Sequence, residues 1–333
     1  MRTMFVASSG GHMEELWSLR ARLGPLARGD RTWVTFDTPQ SRSLLADEQR
    51  IFIPGARPRD PRATLTHARF ALHILGLGGW DAVVSTGCLP AVPFLSLARA
   101  RGIQCHFIES ATRTVAPSVT GQLLERIPGV HRYSQHRWPD RPGWRYGGSV
   151  FDSFRGVPSP ARDVISVVVT VGISDVGFPR LLRAVAAALP PGADVLWQVG
   201  HNDATGLPGT ARPFVPHAEL GRAMDKADLV ICHAGVGSAL AAFGAGHCPI
   251  VVPRRLAHGE HVDDHQVELA HALADRGLAV AVEADAIDAR VLAQAASRRV
   301  ARIDDPPAFG LAAPTVRRSP AARLGSSLRR TAA

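Results

Sequence analysis

Short apolar runs alternate with helix-length segments along the whole chain. In the first half the runs are TMFVAS (3–8), RTWVTF (31–36), RIFIP (50–54), DAVVST (81–86) and IQCHFIE (103–109). The second half offers VISVVVTVG (164–172), DVLWQVG (194–200), ARPFV (211–215), ADLVIC (227–232), PIVVP (249–253) and LAVAVE (278–283). Continuous runs of this kind suit central strands of parallel sheets covered on both faces. Their alternation with helical segments predicts a doubly wound α/β architecture. The stretch YGGSVFDSFRGVPSPARD (146–163), rich in Gly, Pro and Ser, separates the halves. The expected organisation is a domain over 1–150, a linker over 151–163 and a second domain over 164–303. The tail 304–333 has Pro, Ala and Arg without helical or strand period, and is expected to be disordered.

One segment departs from ordinary amphipathic patterning. In PRATLTHARFALHILGLGGW (61–80), Arg62, Thr66, Arg69 and His73 form one narrow polar stripe. Leu65, Phe70, Leu72, Ile74, Leu75 and Leu77 cover most of the remaining circumference. A helix so apolar is packed on two sides or rests in a membrane interface. Arg57, Arg59 and Arg62 precede it, and Trp80 follows where an interfacial aromatic would sit. Core packing is the alternative.

At 333 residues the chain has room for two domains with separate cores. Hydrophobic residues make up 46% and charged ones 20%, which indicates a folded, soluble protein. No run reaches the ~18 apolar residues of a membrane span, and the N-terminal run is too short for a secretory signal. Cys88, Cys105, Cys232 and Cys248 form no CxxC pair, a usage that fits buried thiols in a reducing cytoplasm better than disulfides or zinc. The formal net charge of +9 favours anionic partners such as nucleotides, lipid diphosphates or acidic membrane surfaces. Nucleic acid fits least, because no basic helix stands out and aromatic content is 6%.

Candidate chemistry gathers at four loops. VASSGGHMEEL (6–16) passes from a strand into a helix through Ser8, Ser9, Gly10, Gly11 and His12. Glycines there let backbone N–H groups approach an anion, aided by the helix dipole; a tight capped turn explains them equally well. VICHAGVGSALAAFGAG (230–246) repeats the device with His233, Gly235, Val236, Gly237 and Ser238. One such turn in each half could hold two anionic ligands facing each other across a cleft. VVPRRLAHGEHVDDHQVELAHAL (251–273) brings Arg254, Arg255, His258, Glu260, His261, Asp263, Asp264, His265 and Gln266 to the end of a strand, a set suited to a hydroxyl-rich ligand. A metal held by His261, Asp264 and His265 is the lesser alternative there. Finally, STGCLPAVPFLSLARARGIQCHFIESATR (85–113) places Gly87 at one strand end and Glu109 with Ser110 after the next. Glu109 is either a base or hydroxyl ligand, or a cap for the adjoining downstream segment.

Taken in order, SSGGHMEEL, VVSTGCLPAVPFLSLARARGIQCHFIES, YGGSVFD, VVVTVG, ADLVICHAGVGSALAAFGAGHCPIVVPRR and GEHVDDHQVELAHAL resemble the nucleotide-sugar glycosyltransferases of family 28. That family includes the N-acetylglucosaminyltransferase of peptidoglycan lipid intermediates and the two-subunit transferase that extends dolichyl-diphosphate-GlcNAc. The first half is similar to the membrane-recruiting subunit of the latter and the second to its catalytic subunit. Bacterial exopolysaccharide transferases show the same pairing. The resemblance spans about residues 3–300.

It implies a GT-B fold of two Rossmann-like domains, with acceptor bound by the first and nucleotide sugar by the second. By matching motif, Gly235, Val236, Gly237 and Ser238, beside His233, would hold the donor diphosphate. Asp264, His265 and Gln266 would contact the sugar hydroxyls, Phe214 and Val215 would line the base, and Val171 and Gly172 would form the first loop of the donor domain. Ser9, Gly10, Gly11, Gly87 and Ser110 would face the acceptor, with His12 the preferred general base and Glu109 the second candidate. The implied reaction moves a hexose or N-acetylhexosamine from a nucleotide diphosphate sugar, UDP-linked, to a polyprenyl-diphosphate-linked acceptor at the inner face of the cytoplasmic membrane, with inversion and without metal or other cofactor. One departure stands out. A glutamate that usually contacts the ribose is replaced by Ala241, which weakens the inference of UDP. Rival readings are a GT-B transferase acting on a soluble natural product and a non-catalytic nucleotide-sugar-binding scaffold. A dinucleotide oxidoreductase ranks last, since neither glycine turn has GxGxxG spacing.

Overall fold

The computed structural model describes residues 1–56, 60–138, 141–160, 163–172 and 175–312. Two parallel sheets dominate it. The first contains β1 (Arg2–Ala7), β2 (Asp30–Phe36), β3 (Arg50–Ile53), β4 (Ala82–Gly87), β5 (Gln104–Ile108), β6 (Val130–Ser134) and β7 (Trp144–Tyr146), in the order β3-β2-β1-β4-β5-β6-β7. After β8 (Phe154–Pro158), the second sheet is built from β9 (Ser166–Thr170), β10 (Asp194–Gln198), β11 (Thr210–Arg212), β12 (Leu229–His233), β13 (Ile250–Val252) and β14 (Val280–Ala281). Its order is β11-β10-β9-β12-β13-β14. The final strand, β15 (Arg298–Arg302), pairs antiparallel with β8. The all-apolar runs form the buried centres: every residue of β4 is buried, as are Met4 to Ala7 of β1 and Val167 to Thr170 of β9. Helices cover both faces of such sheets, which is why these runs do not alternate with polar residues.

Strand order reverses between β1 and β4 in one sheet and between β9 and β12 in the other. Ligands of open α/β sheets bind at the carboxyl ends of strands at such a reversal. The glycine turns 8–11 and 233–235, together with Gly87 and Gly172, lie at those four strand ends.

Two segments differ from expectation. The stretch read as a linker is largely built into the fold. Ser149 and Asp152 form a reciprocal cap on the turn Val150–Ser153. Phe151 and Phe154 are buried against Phe243 of the second domain, with ring centroids 6.3 and 5.4 Å away. β8 then gains a sheet partner at the other end of the chain. The segment's glycines reflect packing rather than looseness: a Cβ on Gly147 would lie 2.3 Å from the Phe309 ring, and Gly148 has φ +103°.

Phe309 belongs to the tail expected to be disordered, yet residues 304–312 return to the first domain. Phe309 is buried, Gly310 N–H donates to Gly147 O at 2.7 Å, and Ala312 N–H donates to the Tyr133 hydroxyl at 2.9 Å. Buried Arg22 ties the two crossings together, donating to Ser149 O and, through Nε, to Pro307 O at 2.8 Å. The rest of the tail, 313–333, lies outside the described residues.

The apolar helix forms as Pro61–Gly76, capped by the Asp60 carboxylate on Arg62 and Ala63 N–H. It packs on one side only, through His67, Ala71, Ile74 and Leu75, and leaves Leu65 58%, Leu72 47% and the adjacent Leu77 62% exposed. Trp80 is not an interfacial aromatic. It is buried, its Nε1–H donating to Ile74 O at 3.0 Å with the Arg2 guanidinium over its ring. Arg57 and Arg59 lie outside the described residues. No described helix is long and apolar enough to cross a membrane.

Candidate active site: a cleft between two glycine turns

Two helices begin at the paired glycine turns and meet N-terminus to N-terminus. The helix Gly11–Leu19 comes after β1, and the helix Val236–Gly244 after β12. They approach so closely that a Cβ on Gly11 would lie 2.9 Å from Val236 Cγ1, and one on Gly237 3.5 Å from Gly11 Cα. The first intrahelical bonds are Glu14 N–H to Gly10 O and Ala239 N–H to Gly235 O. The N–H groups of Val236, Gly237 and Ser238 therefore lack helical partners, as the first residues of a helix must. They border a cleft of about 770 Å³, open to solvent, whose other walls include Gly10, Gly172, Gln198, Phe214, Val215, His217 and Ala241.

His12 bridges the reversal of the first sheet. Its Nδ1 lies 2.8 Å from Thr86 O at the end of β4, while Thr86 Oγ1 donates to His12 O at 2.7 Å. A carbonyl only accepts, so Nδ1 carries the proton and Nε2 keeps its lone pair. Burial pushes the His12 pKa down to about 4, against the raising effect of the Thr86 carbonyl, with Arg113 and His265 adding to the depression. Gly87 leaves room for the ring: a Cβ there would sit 3.1 Å from His12 Cε1.

His233 does the same in the second sheet. Its ring lies between two glycines, where a Cβ on Gly172 would come within 2.6 Å and one on Gly235 within 2.2 Å. Burial and the nearby Arg254 hold it neutral, with a pKa down to about 3. Its Nδ1 is 3.4 Å from Ser238 Oγ. Gly235, which the sequence pattern places in an anion-binding turn, is thus also required by an imidazole, as is Gly172.

The second candidate base is differently placed. Glu109 is buried, and its carboxylate is taken up by the loop behind it: Oε1 accepts Ser110 N–H at 3.0 Å, and Oε2 accepts Ser118 N–H and Oγ–H at 2.9 and 3.0 Å. Ser118, not Glu109, caps the helix Val119–Glu125, and Glu109 anchors this loop by holding that cap residue. Ser110 Oγ in turn donates to Glu15 at 2.6 Å. Burial pushes the Glu15 carboxyl up to about 8.

In the polar loop after β13, Arg254 does not face the cleft. It is 1% exposed and donates to Val171 O (3.0 Å), Val176 O and Gly177 O (both 2.8 Å) and Glu260 O (3.3 Å). A buried guanidinium spent on backbone carbonyls holds the loop after β9 in shape. Arg255 pairs with Glu283 at 2.9 Å and approaches Asp264 at 3.6 Å. Asp264 accepts Leu256 N–H at 2.9 Å, and Gln266 Oε1 accepts Arg254 N–H at 3.1 Å. The residues that converge are His261, Asp263 and His265, rather than the set with Asp264; their ligand atoms lie within 4.8 Å of one another. Asp263 already accepts from His265 and from Arg113 of the first domain, the latter at 3.0 Å.

Pattern alone missed Glu14, Gln40, Gln198, His217 and Arg113. Gln198 Oε1 accepts Val215 N–H at 3.0 Å and its Nε2 donates to Thr170 Oγ1 at 2.9 Å, fixing the Phe214–Val215 wall, where Phe214 stays exposed. The signal available was positional. Gln40 lies just past the carboxyl end of β2, Gln198 ends β10, and each strand is the next one out from a strand at a reversal.

Residues 166–301 match the glycosyltransferase family 28 C-terminal domain. A UDP-N-acetylglucosamine–N-acetylmuramyl-(pentapeptide) pyrophosphoryl-undecaprenol N-acetylglucosamine transferase from Chlorobium phaeobacteroides is 27% identical over 240 residues, 66% of this chain and 64% of its own length. The match therefore spans less than two-thirds of that relative. Among solved structures, MurG from Acinetobacter baumannii is similar with a TM-score of 0.54 and 22% identity, covering 88% of each chain. SnogD, a glycosyltransferase from Streptomyces nogalater, is similar with a TM-score of 0.56 and 21% identity, covering 89% of this chain and 92% of its own. These likenesses establish the GT-B fold.

Proposed function

From a chain with the GT-B fold whose residues 166–301 form a family 28 glycosyltransferase C-terminal domain, we propose an enzyme that transfers a hexose or N-acetylhexosamine from a UDP-linked sugar to a lipid-diphosphate-linked sugar acceptor. The reading assigns it to cell-envelope or exopolysaccharide synthesis at the inner face of the cytoplasmic membrane. The observation that carries it is the meeting of two helix N-termini in one cleft, with an unprotonated imidazole nitrogen beside them. The donor diphosphate lies on the N–H groups of Val236, Gly237 and Ser238, where the helix dipole stabilises charge developing on the leaving group. The base packs by Phe214 and Val215, and the sugar reaches towards His265 and Gln266. The acceptor enters from the side of Ser9, Gly10, Gly11, Gly87 and Ser110.

In the transfer, an acceptor hydroxyl attacks the anomeric carbon as the bond to the diphosphate oxygen breaks. The hydroxyl proton passes to His12 Nε2, and Thr86 O holds the resulting imidazolium through Nδ1–H. Charge on the leaving diphosphate is met by backbone N–H groups, and no metal is assigned to the step. A single displacement inverts the anomeric centre. Glu109 serves as a positioning residue for the acceptor-side loop.

The lipid acceptor is supported by the relative whose name specifies a pyrophosphoryl-undecaprenol substrate and by the one-sided packing of the helix Pro61–Gly76, which leaves leucines beside Arg62 and Arg69. A soluble acceptor is the second reading, since the GT-B fold by itself does not specify the acceptor. The test is a panel of nucleotide sugars scored for protection against thermal unfolding, then for nucleoside diphosphate release with lipid-extract or soluble acceptors. Release that depends on lipid extract is expected. Binding without release under every acceptor condition would mean a scaffold instead.

A further inference from the structure

Glu14 is the one carboxylate among the described residues lining the cleft. It sits on the first domain, two residues after His12, yet is 8% exposed because the second domain covers it. Its Oε1 accepts Gln40 Nε2–H at 3.0 Å and lies 3.4 Å from His217 Nδ1 across the domain boundary. Gln40 is itself fixed, its Oε1 accepting Gly10 N–H at 2.7 Å. Glu14 Oε2 has no protein partner among the described residues. A buried carboxylate is held rigid by one oxygen while the other is left to the cavity.

Its neighbours say what that oxygen would meet. On one side is His217, at the start of the helix His217–Lys226, which with Phe214, Val215, Leu220 and Met224 makes the apolar end of the cleft. On the other is the diphosphate turn: a Cβ on Gly237 would lie 3.4 Å from Glu14 Cγ. A ligand with its base at the apolar end and its diphosphate on Gly237 places its ribose between them. The residue opposite on the second domain, Ala241, offers only a methyl group there.

Resting on the donor reading above, we infer that Glu14 accepts the vicinal hydroxyls of the donor ribose, so that the acceptor domain supplies part of the nucleotide site. A carboxylate is an acceptor-only group matched to paired hydroxyl donors. A hydrogen bond to a charged partner is worth enough to change affinity about tenfold or more. Because Glu14 stands on the opposite domain from the diphosphate turn, the same contact draws the two domains together when donor binds.

The test is calorimetric titration of the full-length protein with UDP, 2′-deoxy-UDP and 3′-deoxy-UDP, repeated for Glu14→Ala and Glu14→Gln; GDP and its 2′-deoxy form cover a purine donor. Wild type is expected to prefer the ribonucleotide by about tenfold or more. Glu14→Ala should reduce that ratio to near one by weakening the ribonucleotide and sparing the deoxy forms. Glu14→Gln, which preserves shape, should reduce it in the same direction. If Glu14 merely braced the domains, both nucleotide types would weaken together and the ratio would persist, which overturns the inference while leaving the donor reading intact. Absence of any nucleoside diphosphate binding by wild type would overturn the donor reading, and the inference with it.

Discussion

Replacing His12 by alanine tests the proposed chemistry where structure and mechanism meet most directly. The side chain carries a proton on Nδ1, fixed by Thr86 O at 2.8 Å, and a lone pair on Nε2. With its pKa lowered to about 4 by burial, it is neutral at pH 7 in all but roughly one molecule in a thousand. The base is therefore always available, although burial that guarantees the neutral form also weakens it as a proton acceptor. General-base assistance is typically worth ~10²–10⁴-fold, or about 3–5 kcal/mol of barrier. His12→Ala should lower kcat by that order while leaving nucleotide affinity nearly unchanged, since the donor N–H groups belong to the other domain.

The pH profile adds a second, independent reading. An ordinary histidine base would lose activity below about pH 6.5. Here kcat/KM should stay level through pH 6.5 and fall only towards the folded-state value of about 4. Stability limits the accessible range from the same side. His12 and His233 have pKa values of about 4 and about 3 in the folded protein. The unfolded chain therefore binds more protons than the folded one below about pH 6.5, and stability falls as the pH falls. Circular dichroism at each pH separates unfolding from protonation of the base. A His12→Ala enzyme within about threefold of wild-type kcat would remove His12 from proton transfer. An acid limb near pH 6.5 in a protein still folded would refute the assigned burial and tautomer.

Three further outcomes rest on particular contacts. Arg254→Met leaves the carbonyls of Val171, Val176 and Gly177 without their donor, and urea unfolding should show a loss of about 2–4 kcal/mol. Unchanged stability with selective loss of diphosphate binding would instead make Arg254 a ligand group. Phe309→Ala empties the space that Gly147 leaves for the ring and should cost about 3 kcal/mol in the same assay; a neutral result would mean the returning tail adds no stability. Replacing Leu65, Leu72 and Leu77 together by serine should abolish flotation with anionic liposomes while leaving the melting temperature within a few degrees, because all three are exposed. Flotation that survives would place the membrane contact elsewhere.

Much of this molecule was legible because both sheets are parallel and buried on both faces. Their strands are continuous apolar runs, and each of the eleven runs singled out lies at a strand of one sheet or the other. The strands that escaped were β6, β7, β8 and β15. In VHRYS (130–134) and RRVAR (298–302), apolar residues are outnumbered or matched by polar ones. These strands lie near an edge or in the two-stranded seam, where half the side chains face solvent or a neighbouring loop. The seam itself was hidden because its partners, β8 and β15, are about 140 residues apart, and no local pattern announces a pairing of that kind.

The glycines show why a local motif underdetermines a site. Gly147 and Gly148 resemble linker residues in sequence, but one makes room for Phe309 and the other takes a positive φ. Gly235 resembles part of a phosphate cradle, and it and Gly172 both clear space for the His233 ring. Gly11 has a third use, letting two helices approach end to end across the domain boundary. That last use links the two halves functionally. A methyl group at Gly11 would press the helix carrying His12 and Glu14 against Val236, on the helix carrying the diphosphate N–H groups. Small size at Gly11 is therefore a condition on the distance between base and leaving group, not on either loop alone. Gly11→Ala, whose Cβ would sit 2.9 Å from Val236 Cγ1, should lower kcat by more than the about tenfold loss of donor affinity that displacing Glu14 brings, since the diphosphate N–H groups stay in place while the base moves away. Equal losses in both, measured by turnover and by calorimetry, would show that the two turns act as one binding unit rather than as a base and a cradle held at a set separation.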